Sequence, residues 1–110
     1  MKVLEQRQGA VTVLRPSGPL VASEAEAFKA RVLEALGESR GRFVLDVSDI
    51  AFVDSAGLES LLDVTEGAGG GQGLKICGAN ETLRQVLELT GLARLFEHFE
   101  DANTAVRSFL

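Results

Sequence analysis

The chain has 110 residues, a formal net charge of −5 at pH 7, one cysteine and one histidine, and this length fits one domain, residues 1–110, that buries a core without disulfides or metals. The negative charge disfavours nonspecific binding to nucleic acid or anionic lipid, because both depend on Lys and Arg neutralising phosphates. No segment reaches the ~20 apolar residues of a membrane span, so we expect a soluble cytoplasmic protein with no cofactor and no metal, whose partner is a protein or a small ligand.

The N-terminal third predicts a hairpin followed by a helix. Residues 3–6 and 10–15 have the pattern of two strands joined by a short turn. Ser23 is a good N-cap, the apolar residues after it share one helical face, and Gly37 suits the C-terminal end. We therefore expect an antiparallel pair of strands and then a first helix.

The middle of the chain predicts a strand, a helix and another strand. Residues 43–47 are apolar apart from Asp46, as in a strand covered on both faces, and residues 74–77 form a second short strand. The second helix is indicated by apolar residues and a threonine at helical spacing: Leu58, Leu61, Leu62 and Thr65. Cys77 has no Cys or His near it in sequence, which argues against a metal site. We expect Cys77 to be a free cysteine that packs as a small buried residue at a strand end.

The C-terminal third predicts two helices on either side of a short strand. Residues 83–90 carry a helical apolar stripe that Gly91 closes, Leu95 and Phe96 mark the strand, and Asp101 caps the last helix. Parallel strands need crossover connections, which are usually helices. The order of elements therefore predicts an α/β fold: a mainly parallel central sheet of about five strands, with an antiparallel N-terminal hairpin and about four helices.

A glycine cluster over residues 67–73 lacks the features of a phosphate-binding loop. Phosphate loops follow a strand and open a helix, whereas this cluster follows a helix and precedes a strand, and it has no Gly-Lys-Ser/Thr ending. We expect a connector there.

The segment Asp54-Ser55-Ala56-Gly57 places a serine hydroxyl at the start of the second helix. Helix N-termini favour negative charge, so Ser55 is a suitable position for a phosphate. A glycine in the first helical turn costs up to ~1 kcal/mol relative to alanine and usually marks the close approach of another backbone or a ligand. The alternative is that Asp54 and Ser55 only cap the helix, and Gly57 favours a functional site over a cap alone.

A nucleophilic-serine enzyme is the alternative from another class, and the sequence argues against it. The α/β-hydrolase elbow is Gly-x-Ser-x-Gly, but Val53 stands where the first glycine permits the strained turn. The one histidine, His98, lies in the final strand region, and nothing in the pattern brings it to Ser55 as a base. We therefore expect no enzymatic activity and a surface position for His98.

The segment Leu45–Leu58, LDVSDIAFVDSAGL, resembles the signature of the STAS family, the sulfate-transporter and anti-sigma-factor-antagonist domain. The resemblance covers nearly the whole chain, including Gly18-Pro-Leu20 before the first helix and Leu89-Thr-Gly-Leu92 before the last strand. In the bacterial antagonists of this family, the serine after the motif aspartate is phosphorylated by a partner anti-sigma factor that is also a serine kinase. The resemblance implies that Ser55 is this residue.

The resemblance also implies a mechanism of partner switching. The unphosphorylated form binds the anti-sigma factor kinase and releases the sigma factor, and phosphorylation at Ser55 reverses the binding. A phosphoserine carries about −1.5 to −2 charges, which is costly in an interface that cannot pair it, and Glu59 and Asp63 on the same helical face would repel it further. The residues expected to contact the partner are Val21, Asp54, Ser55, Ala56, Gly57, Leu58 and Glu59.

Two positions depart from the family pattern. Antagonists of this type commonly have an acidic residue where this chain has Val21, and a small residue where it has Glu59. We interpret both as signs of a divergent partner with a more basic contact surface. Phosphorylation by a different kinase, or none, is the other interpretation. The alternative is a STAS module that serves as a non-switching scaffold or accessory subunit of a signalling complex or transporter.

Overall fold

The computed structural model describes residues 1–68 and 73–110, so residues 69–72 of the glycine-rich connector lie outside the described residues. Strands and helices follow one another in the order that the sequence predicts. The elements are β1 (Lys2–Gln8), β2 (Val11–Ser17), α1 (Ala22–Ser39), β3 (Phe43–Asp46), α2 (Ser55–Gly67), β4 (Leu74–Cys77), α3 (Glu81–Leu89), a 3₁₀ turn (Ala93–Leu95), β5 (Phe96–Phe99) and α4 (Ala102–Arg107).

The strands form one five-stranded sheet in the order β1-β2-β3-β4-β5. β1 pairs antiparallel with β2, and every later pair is parallel. The register aligns Leu14 with Leu45 and Leu45 with Ile76, so alternate residues of neighbouring strands share one face of the sheet. The expected α/β fold is confirmed.

The larger part of the core lies between one face of the sheet and the helices α1, α2 and α3. Leu14, Leu45 and Ile76 project into it from the strands, and Phe28, Leu61 and Leu87 project into it from the three helices. The other face carries a smaller cluster under α4, formed by Val11, Val13, Val44, Cys77 and Ala105. β3 is therefore covered on both faces, as its apolar run predicts.

Some element ends differ from the sequence expectation. α1 begins at Ala22 with Val21 as its N-cap, so Ser23 lies inside the first turn and is not the cap. The helix continues past Gly37 to Ser39, and Arg40 takes the left-handed conformation (φ 54°) that ends it. Leu95 belongs to the 3₁₀ turn rather than to the last strand.

The connections place all four helix N-termini at one edge of the sheet. Each helix follows a strand that runs parallel to the others, so α1, α2, α3 and α4 all start at the carboxyl edge of β2–β5. Ligand and partner sites of open α/β sheets occur at this edge. Of the helices in the described part of the chain, none has the length and apolarity needed to cross a membrane.

Candidate functional site

Ser55 is the first residue of α2, and its side chain is exposed at the carboxyl edge of the sheet. The loop from β3 to Ser55 is fixed by buried anchors. The Val47 N–H donates to the Cys77 carbonyl at 2.9 Å, and the Asn80 side-chain amide donates to the Ile50 carbonyl at 3.1 Å. Ile50 is fully buried. Ser55 therefore follows a well-supported loop and occupies an exposed position at the start of α2.

Asp54 links the starts of two helices. One carboxylate oxygen accepts the Gly57 N–H at 2.8 Å and so caps α2, and the other accepts the Ala22 N–H at 3.0 Å at the start of α1. The hydrogen bond from Gly57, followed by the one from Ala22, lowers the pKa of Asp54 below its usual value. The carboxylate is charged at neutral pH, and both of its oxygens are used within the chain.

The loop before α1 runs alongside the loop before α2. The Gly18 N–H donates to the Asp49 carbonyl and the Leu20 N–H to the Phe52 carbonyl, both at 3.0 Å. Leu20 and Val53 form a parallel bridge, and the Asp54 N–H returns a bond to the Leu20 carbonyl at 3.2 Å. These bonds bring Val21 next to the Asp54–Ser55 segment, although more than thirty residues separate them in sequence.

Gly57 is buried because the Leu20 backbone lies against it. A Cβ at Gly57 would overlap the Leu20 carbonyl oxygen, so only glycine fits there. Of the two explanations for this glycine, close approach of another backbone and approach of a ligand, the structure shows the first. Gly57 thus positions the loop that carries Val21, and it is not by itself an indication of a ligand.

The remaining residues expected at the site differ in exposure. Ala56 and Leu58 are half-buried, whereas Glu59 is exposed one turn beyond Ser55. Asp63 is half-buried and pairs with Lys29 at 3.5 Å. The pKa of Lys29 is raised, first by its hydrogen bond to Glu26 and further by Asp63. Of the two carboxylates expected to repel a phosphate, Glu59 is therefore the more available.

Phe52, three residues before Ser55, is 52% exposed and was not among the residues expected at the site. It enters the sequence interpretation only as part of the signature segment Leu45–Leu58. The outward direction of Phe52 depends on the pairing of Leu20 with Val53, which is not local, so no local pattern in the sequence signals it.

The other candidate residues do not join Ser55. His98 is exposed on β5, and its Nε2 lies 2.8 Å from the Ala93 carbonyl oxygen. No hydrogen bond connects it to the Ser55 hydroxyl within residues 1–68 and 73–110.

Cys77 is buried as expected, and burial, followed by the charge of Asp46, raises the pKa of its thiol to about 12. Among the described residues, no group of three or more His, Cys, Asp or Glu residues could hold a metal ion.

Comparison with solved structures shows how widely this fold is shared. An anti-sigma factor antagonist from Mycobacterium paratuberculosis aligns with a TM-score of 0.84 at 24% identity, covering 97% of this chain and 92% of that one. A candidate anti-sigma factor antagonist from Thermotoga maritima also has a TM-score of 0.84, at 22% identity over 96% of this chain and 92% of that one. The Bacillus cell fate determinant SpoIIAA in its phosphorylated form aligns at 0.69 and 18% identity, covering 99% of this chain and 100% of that one.

The family follows from a comparison with family models. A search of curated proteins finds no match. The model of the STAS domain matches residues 2–105, which is nearly the entire chain and includes both loops at the Ser55 edge. The structural neighbours share the fold that this match implies. The chain therefore belongs to the STAS domain family.

Proposed function

We propose that this protein is an anti-sigma factor antagonist whose unphosphorylated form binds an anti-sigma factor with serine kinase activity, and whose phosphorylation at Ser55 reverses that binding. The observation that carries the proposal is the exposed hydroxyl of Ser55 at the first position of α2, directly after the capping aspartate. The fold similarity to antagonists, including phosphorylated SpoIIAA, supports the same role. Val21, Ala56, Leu58 and Glu59 lie on the segments next to Ser55 and would form the contact surface, with Asp54 and Gly57 holding the two loops together.

The energetics of one phosphate are sufficient for such a switch. Changing a bound population from 99:1 to 1:99 requires ~5.5 kcal/mol of differential affinity. An unpaired charge buried in an interface costs several kcal/mol, and a phosphoserine adds nearly two charges. Glu59, which forms no ion pair within the described residues, would oppose this charge further.

The cap geometry supports an exposed position for a phosphate on Ser55. Asp54 already accepts the Gly57 N–H, so a phosphate on Ser55 would not replace the helix cap. It would remain on the exposed side of the first turn, where the helix dipole favours it in the free protein. A docked partner would have to cover it, and this difference between the free and bound states is the basis of release.

Intact-mass measurement after incubation with a cognate anti-sigma kinase and ATP tests the proposal. We expect one added phosphate on the wild-type chain, none on Ser55→Ala, and one on the control Ser48→Ala, because Ser48 is an exposed serine of the same loop. A phosphate that persists in Ser55→Ala would place the modification elsewhere. No phosphate on any form would favour the alternative, a non-switching scaffold or accessory subunit of a signalling complex or transporter.

A further inference from the structure

A patch of exposed apolar side chains lies beside Ser55 at the carboxyl edge of the sheet. We call it the Phe52 patch, and it consists of Pro19, Val21, Ala22, Ala51 and Phe52. Phe52 is 52% exposed, Pro19, Ala22 and Ala51 are exposed, and Val21 is half-buried. These residues come from two segments that are distant in sequence, the loop into α1 with its first residue and the loop before α2, so the patch exists only in the folded chain.

The Leu20–Val53 bridge explains why these side chains share a surface. Leu20 is fully buried and packs in the main core with Val53 against it. Because side chains alternate along an extended backbone, the neighbours of an inward residue point outward. Pro19 and Val21 on one loop therefore lie on the same side as Phe52 on the other.

The exposure of Phe52 is unusual for this chain. Of its six phenylalanines, Phe28, Phe43 and Phe96 are buried, and Phe99 and Phe109 are half-buried around α4. A large aromatic side chain left in water on a hydrogen-bonded loop gains nothing in the free protein, whereas aromatic anchors contribute much of the binding energy in interfaces. The backbone of Phe52 is already fixed by the bond to Leu20, so little conformational entropy would be lost on docking.

Carboxylates border the patch. Glu59 lies one turn beyond Ser55, and Glu81 begins α3 beside Asn80, whose side-chain amide donates to the Ala51 carbonyl at 3.4 Å. Neither glutamate forms an ion pair in the part of the chain that the structure describes. Arg15, on β2 before the first of these loops, is paired with Asp49 at 3.3 Å. An occupant must therefore match an apolar centre with an acidic border.

We propose that the Phe52 patch is the docking surface for a protein partner that presents an apolar socket bordered by lysine or arginine. A second copy of this chain does not fit, because its own patch has the same acidic border. The inference rests on the proposed function only in assigning Ser55 to the edge of this interface. Phe52 and Val21 would enter the socket, and its lysine or arginine border would pair with Glu59 and Glu81. A phosphate at Ser55 would then face the apolar wall of the socket and remain unpaired, as release requires.

A titration with an amphipathic peptide of leucine and lysine tests the surface without requiring the natural partner. Amide chemical shifts should change most at residues 19–22 and 51–56, and Phe52→Ser should weaken binding tenfold or more. Leu89→Ser is the control, because Leu89 is 87% exposed at the far end of α3. The proposal is overturned if the shifts lie elsewhere, if Phe52→Ser binds as wild type, or if the two variants lose affinity equally. Peptide-induced dimerisation that Phe52→Ser abolishes would instead assign the patch to a second copy.

The same variants with an anti-sigma kinase distinguish this inference from the proposed function. If Ser55 is phosphorylated and releases the kinase but Phe52→Ser binds it as tightly as wild type, the docking surface is wrong and the switch stands. If Phe52→Ser loses binding while Ser55 accepts no phosphate, the docking surface stands and the switch is wrong.

Discussion

The carboxylate of Asp54 accepts a hydrogen bond from the Ala22 N–H at 3.0 Å, and through it one side chain joins the start of α1 to the start of α2. The second oxygen holds the Gly57 N–H. Both loops at the Ser55 edge therefore depend on the same charged group. Motion of either loop should be coupled to the ionisation of Asp54.

Replacing Asp54 should destabilise the fold and disorder the loop around Val21. Asp54→Ala removes a cap and an inter-loop bond, and we expect a fall in Tm of roughly 5 °C. Asp54→Asn keeps one acceptor oxygen and should lose less. Thermal unfolding monitored by circular dichroism gives both values. Equal Tm for Asp54→Ala and wild type would mean that these hydrogen bonds contribute no net stability.

The free energy of unfolding should depend on pH through Asp54 and Asp101, the carboxylates that cap α2 and α4. Hydrogen bonds from Gly57 to Asp54 and from Thr104 to Asp101 lower the pKa of each group in the folded state. Each carboxyl therefore binds its proton more readily in the unfolded chain than in the folded one. The stabilisation is complete above the unfolded pKa of about 3.9, and it is lost as the pH falls through the lower pKa of the folded state. Urea unfolding between pH 6 and pH 2 should therefore be less pH-dependent in Asp54→Asn than in wild type. An unchanged slope would argue against the assigned cause.

Alanine substitutions at two helical glycines should have opposite effects. Gly57→Ala forces a Cβ against the Leu20 carbonyl oxygen and should cost ~2 kcal/mol. Gly37→Ala meets no atom within 4 Å inside α1 and should gain up to ~1 kcal/mol from helix propensity. Urea unfolding measures both free energies. If Gly57→Ala were neutral, the close approach of Leu20 would not be the reason for this glycine.

Cys77 should be unreactive while the protein is folded. Its thiol is buried beneath α4, and its pKa is raised to about 12, so almost no thiolate exists at pH 8. A maleimide reagent at pH 8 should modify the native chain orders of magnitude more slowly than the urea-unfolded chain. Similar rates in the two states would show that α4 opens readily.

The sequence predicts most of the architecture, because strand and helix periods are local properties. The strand Leu74–Cys77 has the predicted bounds, and Asp101 caps α4 as expected. The sequence predicts a local cap at Ser23 for the start of α1, but the Ala22 N–H donates its hydrogen bond to the carboxylate of Asp54, 32 residues away. No local pattern contains that contact.

The sequence predicts that Ser55 lies at the start of a helix, as the structure shows, but it does not predict the contacts around Ser55. The motif located Ser55, and the loops that carry Val21 and Ser55 do meet. The reason for Gly57 and the exposure of Phe52 both depend on Leu20, which pairs with Val53 only in the folded chain. The pairing of Asp63 with Lys29 is likewise a contact between helices.

The most direct test of the account is the affinity of the anti-sigma kinase for this protein with and without phosphate on Ser55. Calorimetry should show tight binding to the unphosphorylated chain, wild-type affinity for Ser55→Ala, and at least a hundredfold loss for the phosphorylated chain, with Ser55→Asp in between. Equal affinities for the phosphorylated and unphosphorylated forms would contradict partner switching at Ser55.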